Sequence, residues 1–248
     1  TFTPRRRHTR FGFKSRGLGD VYKRQESVEE TIARGRREIY EYFQDIARER
    51  RARPGEDLVS LLATAKIDGK PIPDAELMAY YLILIVAGNE TTRNAVSGGL
   101  LAFLDHPDQW QALRAAPGLL PSAVEEVLRF TSPVIHHART AQQDLELRGA
   151  KIRRGDTLAL FYPSANRDEE IFDDPFAFRI DRRRNRHLAF GVGEHVCLGA
   201  HLARIEIELV FRHLAERVES MTRTGEATRL ASANVGGIKT LPVELRFV

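Results

Sequence analysis

The feature that most constrains this chain is a glycine-rich loop that carries its one cysteine just ahead of an apolar segment. Glycines lie at positions 191, 193 and 199 around Cys197, and glycine adopts backbone conformations that other residues rarely reach. The run from Ala200 to Leu214 has the composition of a helix. A helix starting there would direct its free N–H groups and the positive end of its dipole at the sulfur of Cys197. The loop therefore predicts a thiolate that binds a metal.

From the residues alone, one other interpretation of Cys197 remains open and a second is excluded. A single cysteine is often a small buried hydrophobic residue. A structural zinc site needs three or four Cys or His ligands, and the sequence has no second cysteine to supply one. One cysteine also excludes an intramolecular disulfide framework and fits a reducing cytoplasm. A lone thiolate on a glycine loop suits haem iron better than zinc, because glycines let a flat ligand approach the main chain.

The positive charge of the chain is concentrated at its start. The net charge is +4, but residues 1–25 hold eight basic side chains and one acid, Asp20, so the remainder is mildly acidic. Residues 1–25 have no periodic apolar face, which argues against nucleic-acid binding, and Gly17–Gln25 resembles translated sequencing-adaptor DNA. We expect a non-native or disordered basic leader over residues 1–25.

Hydropathy argues against a signal peptide or a membrane anchor. The basic residues of the leader are not followed by a continuous apolar segment. The longest apolar run, residues 77–87, is about half the length of a membrane span. This run is better interpreted as part of a core helix, and the chain is predicted to be cytoplasmic.

Apolar periodicity and turn residues predict a mainly α fold with small β-sheets. Alternating residues and Gly-containing turns indicate strands within 138–160 and a C-terminal strand pair that bends near residues 236–237. The Asp- and Arg-rich region between these strands and the cysteine loop is predicted to be irregular. The predicted helices cover about 26–52, 57–64, 75–104, 107–115, 120–130 and 200–217.

A second chemical signal lies in the long predicted helix, in the hexapeptide Ala87–Thr92. Glycine and two β-branched threonines lower helix propensity just after a strongly apolar run. The Thr91 hydroxyl can bond a carbonyl one turn earlier and open the helix, and Gly88 leaves room for a small ligand beside the backbone. A polar patch where the helix meets solvent is the alternative interpretation.

A third signal is the spacing of Glu126 and Arg129. Side chains three residues apart meet on one helix face. Such pairs are common on protein surfaces, where they contribute little. By itself the pair therefore identifies no function.

Taken together, these motifs resemble the cytochrome P-450 family in its soluble bacterial form. The loop reads F-x-x-G-x-x-x-C-x-G over residues 190–199 and is followed by L-A-R, and the E-x-x-R pair precedes it. The resemblance covers roughly residues 30–248. It implies an N-terminally truncated cytochrome P-450 fold, with residues 26–248 forming the C-terminal part of a single haem-thiolate monooxygenase domain.

The resemblance also implies a haem b site. Cys197 matches the iron ligand, and Phe190, Gly191 and Gly199 belong to the loop around it. Arg139 and His195 match the residues that bind the haem propionates, and cationic donors suit carboxylates. The histidines at positions 136 and 137 lie where the family lines its substrate pocket.

Two further groups of residues acquire roles by the same resemblance. Glu90 and Thr91 match the acid–alcohol pair that delivers protons during oxygen activation. Glu126 and Arg129 match a structural pair that binds an arginine ahead of the cysteine loop, here Arg182. The family usually has an aspartate where this chain has Arg179, so the hydrogen bonding of that turn is expected to differ.

The implied reaction is insertion of one oxygen atom of O2 into a C–H bond of a hydrophobic substrate. Electrons would come from a ferredoxin or flavodoxin that is reduced by NAD(P)H. The sequence of residues 86–94 resembles that of the actinobacterial subgroup that acts on steroids and other lipids. Two alternatives are a peroxide-driven haem enzyme, whose members tend to lose the acid–alcohol pair, and a cofactor-free helical binding protein with a basic tail.

Overall fold

The computed structural model describes residues 27–248, so the predicted basic leader lies outside the described residues. Internal contacts divide the chain into two units, Thr1–Leu84 and Ile85–Val248. No helix within residues 27–248 combines the length and the hydropathy needed to cross a bilayer.

The described part of the first unit is helical, with one short hairpin. It contains α1 (Val28–Ala52), α2 (Leu58–Thr64), β1 (Lys66–Ile67), β2 (Lys70–Pro71) and the start of α3 (Asp74–Asp105), which continues into the second unit. A capping box begins α1, since the Ser27 hydroxyl accepts from the Glu30 amide at 3.1 Å and the Glu30 carboxylate accepts from the Ser27 amide at 2.8 Å. Phe43 and Tyr81 pack with ring centroids 5.1 Å apart.

The second unit holds the remaining elements. Its helices are the rest of α3, then α4 (Pro107–Ala115), α5 (Leu120–Thr131), α6 (Tyr162–Ala165) and α7 (Ala200–Arg217). Its strands are β3 (His136–Thr140), β4 (Leu145–Leu147), β5 (Ala150–Ile152), β6 (Thr157–Phe161), β7 (Val218–Arg223), β8 (Thr228–Arg229), β9 (Ile238–Thr240) and β10 (Val243–Phe247).

Aromatic side chains fill the core of this unit. Phe103 of α3 contacts Trp110, Phe178 and Phe211, with ring centroids 5.1–5.3 Å apart. Gly99 allows α3 to approach its neighbours closely, because a Cβ there would lie 2.7 Å from a methyl group of Val127 and 2.8 Å from the Phe211 ring. These contacts hold α3, α5 and α7 together.

The sheets are small, as predicted. Within residues 27–248 each has two antiparallel strands: β1 with β2, β3 with β6, β4 with β5, β7 with β10 and β8 with β9. The mainly α fold class is therefore confirmed. The C-terminal strand pair flanking Gly236 and Gly237 is present as β8 and β9.

Three local features differ from the prediction. The pair of β7 with β10 was not predicted, because β7 begins at Val218 directly after α7 and no turn residues mark its start. The first strand begins at His136 rather than 138. The region predicted to be irregular contains the one-turn helix α6.

Candidate functional site

The cysteine loop is a tight turn that ends at the start of α7. Gly191 and Gly193 have φ angles of +71° and +74°, values that favour glycine over residues with a Cβ. The Cys197 amide donates to the Phe190 carbonyl at 2.8 Å and closes the loop. The thiol of Cys197 is free and exposed, so the residue is not part of a buried core.

Apolar side chains surround this exposed thiol along the loop. Val192, Val196 and Leu198 are 72%, 55% and 81% exposed, which is unusual for large hydrophobic residues on one short segment. A Cβ on Gly199 would lie 4.0 Å from the Cys197 sulfur. One soft sulfur donor among apolar side chains and glycines fits an iron porphyrin, because that ligand presents a flat apolar face and takes a thiolate axial ligand.

The same residues do not fit a structural zinc site. No group of three or more His, Cys, Asp or Glu side chains suited to a metal ion occurs within residues 27–248. Zinc needs such a set. The described part of the chain therefore holds no such set around Cys197.

The two residues predicted to bind haem propionates occupy different elements. Arg139 lies on β3 opposite Leu158 of β6, and its guanidinium donates to the Ala138 carbonyl at 2.9 Å. His195 ends a single 3-10 turn over Gly193–His195 and is exposed. Their propionate-binding roles remain predictions.

The hexapeptide in α3 keeps its helical conformation. The Thr91 hydroxyl donates to the Ala87 carbonyl at 2.7 Å, as its position predicted. The expected opening of the helix is absent, since α3 is a continuous α-helix from Asp74 to Asp105; a carbonyl has two lone pairs and can accept both the hydroxyl and a backbone N–H. A Cβ on Gly88 would meet no atom within 4 Å. The Glu90 carboxylate pairs with Arg93 at 2.7 Å.

Glu126 and Arg129 form a fully buried ion pair rather than a surface one. The Arg129 Nε and Nη2 atoms donate to the two Glu126 carboxylate oxygens at 2.8 Å each, and both residues are 0% exposed. Arg182 Nε donates to the same carboxylate at 3.2 Å. The Asn185 amide adds a bond at 3.0 Å. The three residues that the resemblance associates are therefore in direct contact.

Arg179 contributes to this cluster through its backbone. Its amide donates to Glu126 at 2.8 Å, while its side chain lies in the exposed pairs with Asp174 and Asp181. The turn thus forms without the aspartate that the family usually has, because an amide is available at any residue type. The difference from the family at Arg179 therefore affects the exposed side-chain contacts of the turn and not its bond to Glu126.

The two buried arginines bind the segment that leads to the cysteine loop. Arg129 donates to the carbonyls of Asn166, Pro175 and Ala177 at 2.8–2.9 Å. Arg182 donates to the carbonyl of Asp174 at 3.1 Å. Irregular chain is held in place by these bonds because its buried carbonyls have no secondary-structure partners.

Sequence reasoning did not identify Asn166 as a site residue. Asn166 is fully buried; its amide nitrogen donates to the Ser132 hydroxyl at 2.8 Å, and its side-chain oxygen accepts from the Leu188 amide at 2.7 Å. The only feature of the sequence that pointed to Asn166 was a polar side chain in S-A-N-R-D, just after a predicted strand.

A second missed group centres on Glu125, next to Glu126. Glu125 binds Arg204 and His187. Burial opposes ionisation of Glu125, but hydrogen bonds from His187 and Arg204 and the charge of Arg204 outweigh it and lower the pKa to about 2. Two features of the sequence could have pointed to this cluster: an acid beside the E-x-x-R pair and the arginine of L-A-R.

Comparison with known proteins agrees with this geometry. The cytochrome P-450 family model matches residues 118–242, a range that contains the cysteine loop and the Glu126 cluster. A methyl-branched lipid omega-hydroxylase of Mycobacterium tuberculosis is 45% identical over 211 residues, which is 83% of this chain and 49% of the relative. A steroid carbon-26 monooxygenase of Rhodococcus jostii is 41% identical over 210 residues, 84% of this chain and 44% of that protein.

Solved structures give the same result for the fold. The crystal structure of CYP108D1 from Novosphingobium aromaticivorans has a TM-score of 0.80 at 43% identity, with 85% of this chain and 51% of that chain covered. The chain spans about half the length of the curated relatives it matches. Because a family model covers half of the chain and relatives above 40% identity cover most of it, the chain belongs to the cytochrome P-450 family.

Proposed function

We propose that the protein containing this chain is a haem-thiolate monooxygenase that inserts one oxygen atom of O2 into a C–H bond of a hydrophobic substrate. The observation that carries this proposal is the exposed Cys197 thiol, held in a glycine turn at the start of α7. The two relatives named above are a hydroxylase and a monooxygenase. The chain itself is proposed to be an incomplete part of the enzyme, since it spans about half of these relatives.

Haem b would be held by Cys197 as iron ligand and by Arg139 and His195 at its propionates. Phe190, Gly191 and Gly199 would form the loop around the ligand. When bound, the haem supplies the oxygen-activating chemistry, with a thiolate that favours O–O cleavage. The exposed apolar side chains of the loop would exclude water from that face of the porphyrin.

Proton delivery is proposed for Glu90 and Thr91. Thr91 holds its hydroxyl on the Ala87 carbonyl at 2.7 Å, which fixes the side chain and leaves its oxygen lone pairs free to accept. The Glu90 carboxylate is half exposed and can exchange protons with solvent. The intact pair favours an O2-dependent enzyme over a peroxide-driven one.

Electrons are proposed to come from a ferredoxin or flavodoxin reduced by NAD(P)H. Arg183, Arg184 and Arg186 are exposed in the segment that precedes the cysteine loop. A basic patch of this kind raises the encounter rate with an acidic protein. The protein is proposed to act in the cytoplasm, where such small carriers and reduced thiols are found.

The substrate is proposed to be a steroid or another lipid. Relatives of similar identity are named for a methyl-branched lipid and for a steroid. His136 and His137, in the stretch assigned to the substrate pocket, pack against Phe161 and Tyr162 with centroids 5.2 Å and 5.8 Å apart. The aromatic surfaces would suit a large apolar molecule.

The proton-delivery proposal predicts distinct defects for two variants of the full-length enzyme. Thr91→Ala is expected to release more hydrogen peroxide and less product per NAD(P)H consumed, because the hydroxyl that would direct the proton is removed. Glu90→Gln is expected to slow O2 reduction by about 100-fold, the usual size of a general acid's contribution. Product, peroxide and NAD(P)H are measured together.

Thr92→Ala is the matched control, since Thr92 neighbours Thr91 in α3 and has no assigned role. It should keep the coupling of the unmodified enzyme. Unchanged product yield per NAD(P)H in Thr91→Ala would contradict the role given to that hydroxyl.

A further inference from the structure

Glu125 joins two elements that flank the cysteine loop. Its Oε1 atom accepts from Arg204 Nε at 2.6 Å, and its Oε2 atom accepts from Arg204 Nη2 at 3.0 Å. The same Oε2 atom lies 3.0 Å from His187 Nε2. Arg204 belongs to α7, just after the loop, and His187 lies just before it. One carboxylate on α5 therefore holds both ends of the loop.

The bonds of His187 define its tautomer. Its Nδ1 atom accepts from the Ala189 amide at 3.2 Å, so Nδ1 carries no hydrogen. Nε2 is then protonated and donates to Glu125. The His187 side chain is 3% exposed, and a buried ring with both nitrogens bonded has a fixed orientation.

Phe190 lies between these partners of Glu125. The Arg204 guanidinium stacks over the Phe190 ring at 4.6 Å from its centroid, and the His187 ring centroid is 6.0 Å from the same ring. The Phe190 carbonyl accepts the Cys197 amide at 2.8 Å. A fixed Phe190 thus fixes the backbone that carries the sulfur.

We propose that Glu125 is a positioning residue for the thiolate: through Arg204 and His187 it locks Phe190, and through Phe190 it sets the orientation of Cys197. The inference rests on the proposed haem-thiolate function and adds to it a residue outside the E-x-x-R cluster. Glu126 holds the segment over residues 166–185, whereas Glu125 holds the loop itself. The two adjacent carboxylates therefore hold different parts of the site in place.

The charges of the cluster are consistent with this role. The hydrogen bond to Glu125 raises the pKa of the Arg204 guanidinium, burial opposes that rise, and the charge of Glu125 adds to it. Groups that orient a metal ligand in this way commonly change metal affinity by about 10–100-fold when they are replaced.

The test uses Glu125→Gln and Arg204→Lys in the full-length holoenzyme. Glutamine keeps the size of Glu125 but removes its charge and one acceptor oxygen, and lysine keeps the charge of Arg204 but cannot stack or bind in two places. The readouts are the fraction of the ferrous–CO complex with a thiolate-type Soret band and the rate of haem transfer to apomyoglobin. Both are measured at least about 10 °C below each variant's own unfolding midpoint, so that global unfolding does not cause the loss of haem.

We expect both variants to lose haem about 10-fold faster or more and to show a reduced thiolate-type fraction while still folded. Glu125→Asp, which keeps the charge, should restore part of that fraction. The control is Glu170→Gln, because Glu170 also binds an arginine, Arg148, through two oxygens but on an exposed surface. It should behave as the unmodified enzyme does.

Each remaining outcome has a defined meaning. Folded Glu125→Gln and Arg204→Lys proteins with the thiolate-type fraction and haem-transfer rate of the control would overturn the positioning role and leave the proposed function intact. If Glu125→Gln does not fold, Arg204→Lys alone decides by the same two readouts. An unmodified enzyme without a thiolate-type band would overturn the proposed function, and the inference with it.

Discussion

Substitution of Glu126 with glutamine is expected to lower the free energy of unfolding by about 3–5 kcal/mol, the cost of leaving buried charges without their partner. The fully buried carboxylate accepts five hydrogen bonds, from Arg129, Arg179, Arg182 and Asn185. Glutamine would place a donor against one of these donors and leave two buried guanidinium groups uncompensated. Such a loss is a large part of a typical net stability of about 5–15 kcal/mol.

Denaturant titration of the full-length protein, followed by circular dichroism, measures this change. Glu170→Gln is the control, because its pair with Arg148 is exposed on both sides and such pairs contribute only about 0–1 kcal/mol. Equal unfolding free energies for the two variants would contradict a structural role for the buried cluster.

The second large effect concerns the chain as it stands. Residues 1–248 alone are expected to bind haem weakly or heterogeneously and to aggregate. Leu198 and Leu202 are 81% and 59% exposed, next to Cys197. Each Å² of apolar surface that stays in water fails to contribute the stabilisation of about 25 cal/mol that its burial would give. Large exposed apolar patches also promote association. The relatives have about twice the length of this chain to cover such surfaces.

Gel filtration with absorbance at the Soret band and at 280 nm measures the retained haem and the size of the species. The full-length enzyme, treated in the same way, should keep one haem per chain as a defined species. A soluble monomer of residues 1–248 with stoichiometric haem and a thiolate-type CO spectrum would show that the site needs no residues beyond these.

Features of the site that depend on neighbouring residues could be predicted from the sequence. The glycines around Cys197 and the helix after it are local in the chain, and the structure has α7 begin at Ala200 as expected. The Thr91 bond to the carbonyl four residues earlier is equally local. Apolar composition and the turn residues around it predicted the helices that carry both motifs.

Features of the site that depend on partners far away in the chain could not be predicted from the sequence. Arg129 binds carbonyls 37–48 residues away, and carbonyls occur at every residue, so no sequence pattern marks them. Glu125 meets His187 and Arg204 after 62 and 79 residues. By spacing alone, Glu126 and Arg129 look like a surface pair; only the fold shows that both are buried.

Substitutions at Cys197 separate ligation of the iron from support of the site. Cys197→Ser should keep the Glu126 cluster, which does not involve the sulfur, while removing the soft donor. The ferrous–CO absorption spectrum reports the ligand directly, because a haem held by a thiolate would give a red-shifted Soret band. Cys197→His would be less diagnostic, since an imidazole could also hold the haem.

The ferrous–CO spectrum of the full-length enzyme, measured beside that of Cys197→Ser, is the most direct test of the assignment of Cys197 as the haem ligand. We predict a red-shifted thiolate Soret band in the unmodified enzyme and its loss in Cys197→Ser. A thiolate-type band that persists in Cys197→Ser, or that is missing from haem-loaded unmodified enzyme, would contradict the assignment.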